Sequence, residues 1–377
     1  MKGKKSDYAI LLIFLLFLYG ILAANLLTKD RKFSPMENRM LAQKPKLTLE
    51  AVLSGSYMES YEKYMTDQFA ARDTWISLRS LNERALGKQV SHGVYYGKDG
   101  YLAEQLISLN EEQLEKNRAA VEAFCRCTDS KVYFALIPGS VEINRDKFSP
   151  FLSDVDQKAV IEDIYQGVSD TGAICVDLYD ALWEHRQEDL FYRTDHHWTS
   201  LGAYYGYEAF LEAKGEQPAP LSVYTKTLRS DDFYGTLYSK TGAFWLEPDQ
   251  IHTYVEEEGI EVLHVDGKTV TEGTLYEESW LNEKDQYSMF LGGNQPLAMI
   301  RTKNTDMPKL LVIRDSYFDA MAPFLTSHYS EIYVVDFRYN RSDVEAFMQE
   351  NGITEVLICY SLANFHEDAN LAYVLKK

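Results

Sequence analysis

The chain has 377 residues, of which 46% are hydrophobic and 25% charged, proportions typical of a globular protein with one large domain or two ordinary ones. Its formal net charge is -19 at pH 7. Nucleic-acid binding needs a basic face that displaces counterions from phosphates, so we expect no nucleic-acid partner.

The N-terminus predicts a membrane-spanning helix. Residues 8–27 are uncharged and mainly apolar, and about 20 such residues let a helix cross a bilayer. The run follows three lysines, Lys2, Lys4 and Lys5. Positive residues stay cytoplasmic, so residues 1–7 are predicted as a cytoplasmic tail and the remainder as extracytoplasmic. A cleaved signal peptide has a shorter apolar core, which favours an uncleaved signal-anchor, although the small residues at 23–25 keep cleavage open.

Residues 28–91 are predicted to be a juxtamembrane linker followed by a helical segment. The stretch 28–48 is polar and is interrupted by Pro35 and Pro45, a composition that favours a linker. Residues 49–88 carry Leu, Tyr and Trp at helical spacing, so we predict helix there.

The main domain, predicted over residues 92–377, alternates strands with helices. It opens with two short strands within 92–105, around a Lys-Asp-Gly turn. Apolar runs typical of strands buried on both faces lie at 132–137, 173–178, 310–313, 332–335 and 356–359. Helical patterns lie at 109–126, 154–168, 200–213, 317–327 and 342–351. We therefore predict a parallel sheet with helices on both faces and a β-rich insertion over about 215–305.

Titrating side chains are concentrated in Asp195-His196-His197-Trp198, although the chain has only 8 His and 5 Trp. Ligands of open α/β sheets bind beyond the carboxyl ends of the strands. The residues that follow the predicted strands include Arg314, Ser316, Arg338 and Asn364. A hydroxyl at a strand-to-helix turn, a His near an Asp and an amide at the same edge are the parts of a Ser-His-Asp acyl-transfer site.

Other interpretations of these residues stay open. Asp315 or Ser316 would serve equally well as a cap of the helix that follows. His196 and His197 could bind a metal ion, but adjacent side chains point apart on a strand or a helix. No further ligand stands at a usual spacing, so we expect no metal.

Five blocks of the chain resemble one known family. Asp195-His196-His197-Trp198 resembles the motif that names the DHHW protein family, and it is similar to the Asp-x-His-Trp motif of the alginate O-acetyltransferase family. The other blocks are Glu37-Asn38-Arg39-Met40-Leu41-Ala42 with Pro45, residues 64–73, residues 97–102 and Arg314-Asp315-Ser316-Tyr317. Together they run from about residue 35 to the C-terminus. The resemblance implies an SGNH-hydrolase-like three-layer α/β fold.

The resemblance also implies roles for individual residues. Asp195 would be the acid of a catalytic triad, His197 its base and Ser316 its nucleophile. Oxyanion-stabilising or substrate-binding residues are expected at Tyr317, Arg314, Asn364 and Arg338, and secondary residues at His196 and at Trp198, which would pack at the mouth of the site. Arg314 departs from the relatives, which have Gly at this position.

The implied function is the transfer of an acyl group, expected to be acetyl, through an acyl-enzyme on Ser316 to a cell-surface or secreted polysaccharide. Acetyl-CoA is cytoplasmic, so the resemblance implies a multispanning membrane acyltransferase as the partner that supplies the acyl group. No cofactor is expected. Two alternatives stay open: a secreted carbohydrate esterase with the same triad, and a non-catalytic cell-envelope module that binds glycans.

Overall fold

The computed structural model of the protein describes residues 2–34, 36–37 and 39–375. Pro35 of the predicted linker and Asn38 of the first block of the resemblance lie outside the described residues, as do the side chains of Lys2, Lys4 and Lys5. The helices are α1 (Lys2–Leu27), α2 (Leu49–Leu53), α3 (Ser56–Asp67), α4 (Arg72–Ala85), α5 (Glu111–Cys127), α6 (Ser140–Ile143), α7 (Gln157–Ser169), α8 (Leu178–Glu184), α9 (Ser200–Lys214), α10 (Thr236–Thr241), α11 (Ala322–Leu325), α12 (Val344–Asn351), α13 (Leu362–Phe365) and α14 (Ala369–Leu375).

The strands are β1 (Phe33–Ser34), β2 (Arg39–Met40), β3 (Val90–Ser91), β4 (Val94–Tyr96), β5 (Leu102–Glu104), β6 (Lys131–Ile137), β7 (Ile174–Val176), β8 (Thr227–Phe233), β9 (Asp249–Thr253), β10 (Glu261–Asp266), β11 (Thr269–Gly273), β12 (Leu297–Arg301), β13 (Lys309–Arg314), β14 (Glu331–Val335) and β15 (Glu355–Ser361). Short 3₁₀ helices lie at Arg145–Lys147, Leu221–Val223, Glu278–Asn282, Gln286–Met289 and Ser316–Ala320.

The chain divides into two compact units. The N-terminal unit is Met1–Lys88 with Ser239–Trp245, and the sheet unit is Gln89–Tyr238 with Leu246–Lys377. The sequence-based limits at 28–91 and 92–377 stay predictions about domains.

The N-terminal unit begins with an apolar helix. Within α1, Asp7–Leu27 is a stretch of 21 residues with a mean hydropathy of 2.7 and no buried residue, long and apolar enough to cross a membrane. The predicted helical segment 49–88 is three helices, α2 to α4, instead of one. The chain turns before α3 at Gly55 and before α4 at Ala71, both with positive φ, which a continuous helix cannot contain.

Ion pairs join two of the blocks that carry the resemblance. Arg39 binds Asp67 at 2.5 Å, and Arg72 binds Glu37. The hydrogen bond from Arg39 outweighs burial and lowers the pKa of the Asp67 carboxyl to about 2. Both blocks therefore stabilise the N-terminal unit.

The sheet unit is built on eight hydrogen-bonded strands in the order β11-β10-β12-β14-β13-β15-β6-β7. The strands from β14 to β7 are parallel, which confirms the prediction of a parallel sheet for this part. The region predicted as a β-rich insertion contains the five strands β8 to β12. Its strands β10, β11 and β12 extend the same sheet as antiparallel neighbours, because β12 pairs with the parallel strand β14.

Two hydrophobic cores cover the faces of this sheet, so the predicted three-layer architecture is confirmed. Along β6, Tyr133, Ala135 and Ile137 face one core with α8 and α9. The alternate residues of β6 face the other core, which contains apolar residues of α5, α7, α12 and α14. This alternation is the period of two expected for a strand buried on both faces.

One predicted helix is divided into two short pieces. Residues 317–327 form only the 3₁₀ turn Ser316–Ala320 and the four-residue helix α11. Pro323 lies in the first turn of α11 and cannot donate a backbone hydrogen bond, so no regular helix runs through this segment. The chain after β13 is therefore a tight turn, which places Ser316 directly beyond the end of that strand.

Candidate active site

Three side chains predicted as a triad form one continuous chain of hydrogen bonds. His197 Nδ1 lies 2.6 Å from Asp195 Oδ1, and His197 Nε2 lies 2.8 Å from Ser316 Oγ. In this geometry an Nδ1–H donates to the carboxylate, and Nε2 is left to accept the serine proton. Both distances are within the reach needed between a nucleophile, a base and the group that orients the base. The arrangement can therefore deprotonate a serine hydroxyl.

The Asp195 carboxylate is fully enclosed by hydrogen-bond donors. Oδ1 also accepts the His197 backbone N–H at 3.0 Å, and Oδ2 accepts the Thr236 N–H and hydroxyl at 2.7 and 3.0 Å. Burial acts to raise the pKa of Asp195, but the charges of His196 and His197 and these hydrogen bonds together hold it well below its usual value. Asp195 is thus an anion fixed in one orientation toward the imidazole.

Gly235 allows this enclosure. A Cβ at this position would overlap the Asp195 side chain, so the segment that brings Thr236 to the carboxylate can approach only without a side chain. The buried Thr194 supports the same segment, because its hydroxyl accepts the Gly235 N–H at 3.1 Å.

The two histidines lie side by side. Their ring centroids are 3.9 Å apart, so the expectation that adjacent imidazoles point apart is wrong here. Residues 192–197 form an irregular loop closed by an antiparallel bridge between Phe191 and Trp198, and the alternation of a strand or helix does not apply. Ligand atoms of Asp195, His196 and His197 lie within 4.8 Å of one another. Both ring nitrogens of His197 are engaged, however, and His196 Nδ1 meets Thr236 Oγ1 at 2.8 Å, so the prediction of no metal stays in place.

Trp198 lies beneath the site, and the expectation that it packs at the mouth is wrong. Its side chain is completely buried, and Nε1 donates to the Tyr317 carbonyl at 2.7 Å. Helix α9 leaves space for it at Gly202 and Gly206, where an added Cβ would lie 3.0 Å from the Trp198 Cβ and 2.9 Å from the indole ring, respectively. Trp198 therefore ties the Asp195 loop to the Ser316 turn.

Two tyrosines pack around His197. Tyr317 is buried, and its hydroxyl donates to the His196 carbonyl at 2.6 Å. The residue therefore stabilises the loop, whereas the sequence predicted a contact with an oxyanion or a substrate. Tyr287 stacks on the His197 ring with centroids 3.7 Å apart and planes inclined by 9°. Its hydroxyl lies 3.3 Å from the Ser316 carbonyl, so one side chain contacts the ring and the serine turn.

The interpretation of this turn as a helix cap holds for Asp315. Its Oδ1 accepts the Tyr317 N–H at 3.1 Å, and its Oδ2 accepts the Ser361 N–H, the Ser361 hydroxyl and the Asn364 amide at 2.7–2.8 Å. The Ser316 side chain takes no part in the cap and is left to meet His197. One amide hydrogen of Asn364 is thus committed to Asp315. The Ser316 N–H has no acceptor in the part of the chain that the structure describes, which makes it available to an oxyanion.

Arg314 and Arg338 lie in a separate cluster of charges. Arg314 is 1% exposed, and its guanidinium contacts Asp319 at 3.0 Å and Asp336 at 3.5 Å. Arg338 forms a bidentate ion pair with the same Asp336, and its shortest contact is 2.6 Å. Both predicted site arginines are therefore held by acidic side chains, and neither contacts the residues of the hydrogen-bond chain. The Arg314 guanidinium thus points into this cluster.

Lys284 is a further cation near the site. Its Nζ lies 5.5 Å from the centroid of Tyr234 and 5.0 Å from that of Tyr238. Burial lowers its pKa to about 8, against the opposing charges of Asp195 and Asp232. A partly desolvated ammonium over aromatic rings is stabilised by their negative faces.

Sequence reasoning missed Gly235, Thr236, Tyr287 and Lys284. All four lie in the stretch assigned to the insertion, which carries no motif for chemistry. A glycine followed by threonine, and tyrosines among 27 in the chain, give no signal by composition or spacing. Only their position beside Asp195 and His197 distinguishes them.

Comparison with known proteins gives consistent relatives. A family model described as DHHW protein matches residues 99–335. The crystal structure of a DHHW family protein from Eubacterium siraeum DSM 15702 superposes with a TM-score of 0.66 at 25% identity, covering 76% of this chain and 96% of that one. Bacillus cereus PatB1 with a sulfonyl adduct superposes with a TM-score of 0.61 at 19% identity, covering 74% and 98%. The SGNH-like α/β fold predicted from the sequence is therefore confirmed.

One curated protein is also similar. The probable alginate O-acetylase AlgJ of Pseudomonas syringae pv. tomato is 25% identical over 182 residues, which are 45% of this chain and 45% of the relative. The chain thus matches less than half the length of this relative.

Proposed function

The chain belongs to the DHHW protein family, and from this premise we propose that it is a membrane-anchored, extracytoplasmic O-acyltransferase that acts on a polysaccharide. The observation that supports the proposal is the hydrogen-bond chain from Asp195 through His197 to Ser316, with distances of 2.6 and 2.8 Å. The name of the curated relative, an alginate O-acetylase, supports acetyl as the group transferred.

In the first half of the reaction, His197 takes the proton of Ser316 as the serine oxygen attacks the carbonyl carbon of an acyl ester. Asp195 holds the imidazole in the tautomer that can accept this proton and stabilises the imidazolium that forms. The Ser316 N–H would donate to the developing oxyanion, a contribution typically worth about 3 kcal/mol per donor. His197 then returns the proton to the leaving alcohol, and the acyl group remains on Ser316.

In the second half, His197 deprotonates a hydroxyl of the glycan, which attacks the acyl-serine and regenerates Ser316. The apolar stretch Asp7–Leu27 would anchor the protein in the bilayer with the sheet unit outside. Since acetyl-CoA stays in the cytoplasm, a multispanning membrane acyltransferase is the proposed source of the acyl group.

The proposal is tested with the full chain in detergent and a chromogenic acetyl ester. Turnover is expected for the native protein and for Ser222→Ala, which removes an exposed hydroxyl elsewhere in the sheet unit, and is expected to vanish for Ser316→Ala. Turnover that survives Ser316→Ala would show that another residue is the nucleophile.

The two alternatives give different results in the same preparation. A carbohydrate esterase would release acetate at the same rate with and without an oligosaccharide acceptor, whereas a transferase would form the acetylated oligosaccharide. A non-catalytic glycan-binding module would leave Ser316 unlabelled by a fluorophosphonate probe. The hydrogen bonds of His197 to Asp195 and Ser316 favour a transferase or an esterase over a non-catalytic module.

A further inference from the structure

Residues 28–88, which follow α1 in the N-terminal unit, leave many large apolar side chains exposed. Among the described residues, twelve such side chains are exposed within 28–88, whereas only nine are exposed within the much longer range 89–377. Apolar surface at this density marks a place where a protein binds another protein or a membrane. The proposed reaction makes no use of this surface.

Helix α4 contributes one face to it. Ser80 Oγ donates to the Thr241 carbonyl at 2.6 Å, and Ile76 lies against Gly242, so one side of the helix packs on residues 239–245 of the same unit. Each residue of a helix is turned by about 100° from the one before it, so the opposite side carries a different set of residues. That set is apolar and 41%, 51% and 44% exposed: Trp75, Leu78 and Leu81.

Helix α2 is exposed on all sides. None of its five residues is buried, and its first and last residues, Leu49 and Leu53, are 76% and 79% exposed. Leu47, just before the helix, is 71% exposed. A helix of one turn is marginal in water and needs contacts on its apolar side chains to persist. Within the described residues, the protein does not supply a cover for these leucines.

Hydrogen bonds hold this surface beside the end of the apolar helix α1. Asn25, in the last turn of α1, accepts the Ala70 N–H at 2.8 Å, and Trp75 Nε1 donates to the Ala70 carbonyl at 3.2 Å. The Tyr64 hydroxyl of α3 donates to the Asp30 carboxylate at 3.1 Å. Trp75 is therefore held near the point where α1 would leave a bilayer, which is the depth at which tryptophan is enriched in membrane proteins.

The segment between α1 and α2 is basic, although the chain has a net charge of -19. Residues 28–48 carry six lysine and arginine side chains and two carboxylates. Arg31 pairs with Asp73 and Arg39 with Asp67. The four lysines are exposed and form no ion pair with any residue that the structure describes: Lys29, Lys32, Lys44 and Lys46. Unpaired basic side chains next to a membrane-spanning helix attract anionic lipid headgroups.

We propose that residues 28–88 lie on the outer surface of the bilayer, with the exposed apolar side chains of α2 and α4 among the lipid acyl chains and the four lysines against anionic headgroups. Helices with one apolar and one polar face lie in the plane of such an interface. The inference rests on the proposed function only in taking α1 as the bilayer anchor. It adds a second contact with lipid, made by the unit that follows the anchor.

The depth of the surface is measured with fluorescent labels on the full chain, in vesicles that contain no other protein. The exposed Cys127 is first replaced by Ser. An NBD fluorophore is then attached to Leu53→Cys, to Leu78→Cys or, as the matched control, to Val270→Cys, an exposed apolar position of the sheet unit. A lipid with a doxyl quencher near the headgroup end of its acyl chain should quench the first two labels about threefold more than the control.

Labels at Leu53 and Leu78 that remain in water would overturn the proposal and assign the surface to a protein partner. Equal quenching of all three labels would also overturn it, because the fluorophore itself would then enter the lipid at any exposed position.

The lysines are tested in vesicles of phosphatidylcholine mixed with anionic phosphatidylglycerol. Lys44→Gln with Lys46→Gln should reduce the quenching of the Leu53 label by about half, because two of the four side chains that bind headgroups are lost. The matched control, Lys226→Gln with Lys268→Gln, removes the same charge from exposed positions of the sheet unit and should leave the quenching unchanged. Equal effects of both pairs, including none, would contradict headgroup binding by this segment.

The labelled proteins all keep Ser316, so hydrolysis of an acetyl ester is measured on the same vesicles. Ester turnover by proteins whose labels remain in water would overturn the membrane surface and leave the proposed function standing. Quenched labels without turnover would overturn the proposed function alone.

Discussion

Replacing Asp195 with Asn tests the proposed triad most directly. Oδ1 of Asp195 accepts the backbone N–H and the ring Nδ1–H of His197, and Oδ2 accepts the backbone N–H of Thr236; the two backbone groups can only donate. An asparagine amide must place its own NH₂ against at least one of them. The substitution therefore keeps the volume but opposes donor to donor, removes the negative charge and favours the wrong tautomer of His197.

The expected loss in kcat for an acetyl ester is about 10⁴-fold, equivalent to about 5.5 kcal/mol in the transition state. The unpaired donor should also lower the free energy of unfolding by about 1–3 kcal/mol. Rates are measured between pH 6 and 9 and the free energy of unfolding by urea titration. The control is Asp249→Asn, since Asp249 is also buried and accepts three or more hydrogen bonds but does not touch His197.

Asp249→Asn should lose comparable stability and much less activity. A folded Asp195→Asn protein that keeps kcat within tenfold of the native value would refute the assignment of Asp195 as the triad acid. Equal losses of kcat in both variants would instead assign the loss to general damage around the loop.

Three further predictions concern residues around the site. Gly235→Ala should reduce kcat on the order of 100-fold in the ester assay, because the new methyl group overlaps Asp195 and displaces it. A native rate would show that the loop can move to accommodate the methyl group without displacing Asp195. Tyr287→Leu should lower kcat about tenfold, because it removes the ring stacked on His197. The control Tyr287→Phe keeps the ring and should stay near the native rate. Equal rates for both variants would contradict a role for stacking. Burial raises the pKa of Asp319 to about 8. Between about pH 4 and 8 the folded protein therefore keeps a proton on Asp319 that the unfolded chain has lost. Because the folded state binds more protons in this range, the free energy of unfolding falls as the pH rises from about 4 to 8. Asp319→Asn should remove up to about 1.4 kcal/mol per pH unit of that decline in urea titrations at pH 5 and 8; an unchanged slope would contradict the raised pKa.

The regular elements of the sheet unit could be predicted well from the sequence. The runs at 132–137, 310–313 and 356–359 are strands because their β-branched and aromatic residues fill both faces of a sheet. Segment 317–327 is helical as predicted, but as a 3₁₀ turn and a four-residue helix instead of one continuous helix, because Pro323 interrupts the backbone hydrogen bonding. The strands of the β-rich insertion were predicted only as a region, and their joining to the main sheet was not, because the pairing of β12 with β14 is a long-range contact that alternation does not encode.

The candidate site divides in the same way. Asp195, His197 and Ser316 could be selected because they are rare or reactive side chains placed beyond predicted strands. Arg314, Arg338 and Tyr317 also follow predicted strands, but whether such a side chain faces the site or the interior depends on its partners. Arg314 found Asp319 and Asp336, and Tyr317 found the His196 carbonyl.

By itself, the sequence determined the apolar N-terminal stretch, the strands of the parallel core and the chemistry available at their ends. These follow from local composition and from the two-residue period of a strand. The tertiary structure alone decided that Ser316 meets His197, which lies 119 residues before it, at 2.8 Å. It also decided that Gly235 and Thr236 enclose Asp195 and that Tyr287 covers His197, because such contacts depend on how distant segments pack and not on the residues that precede or follow them.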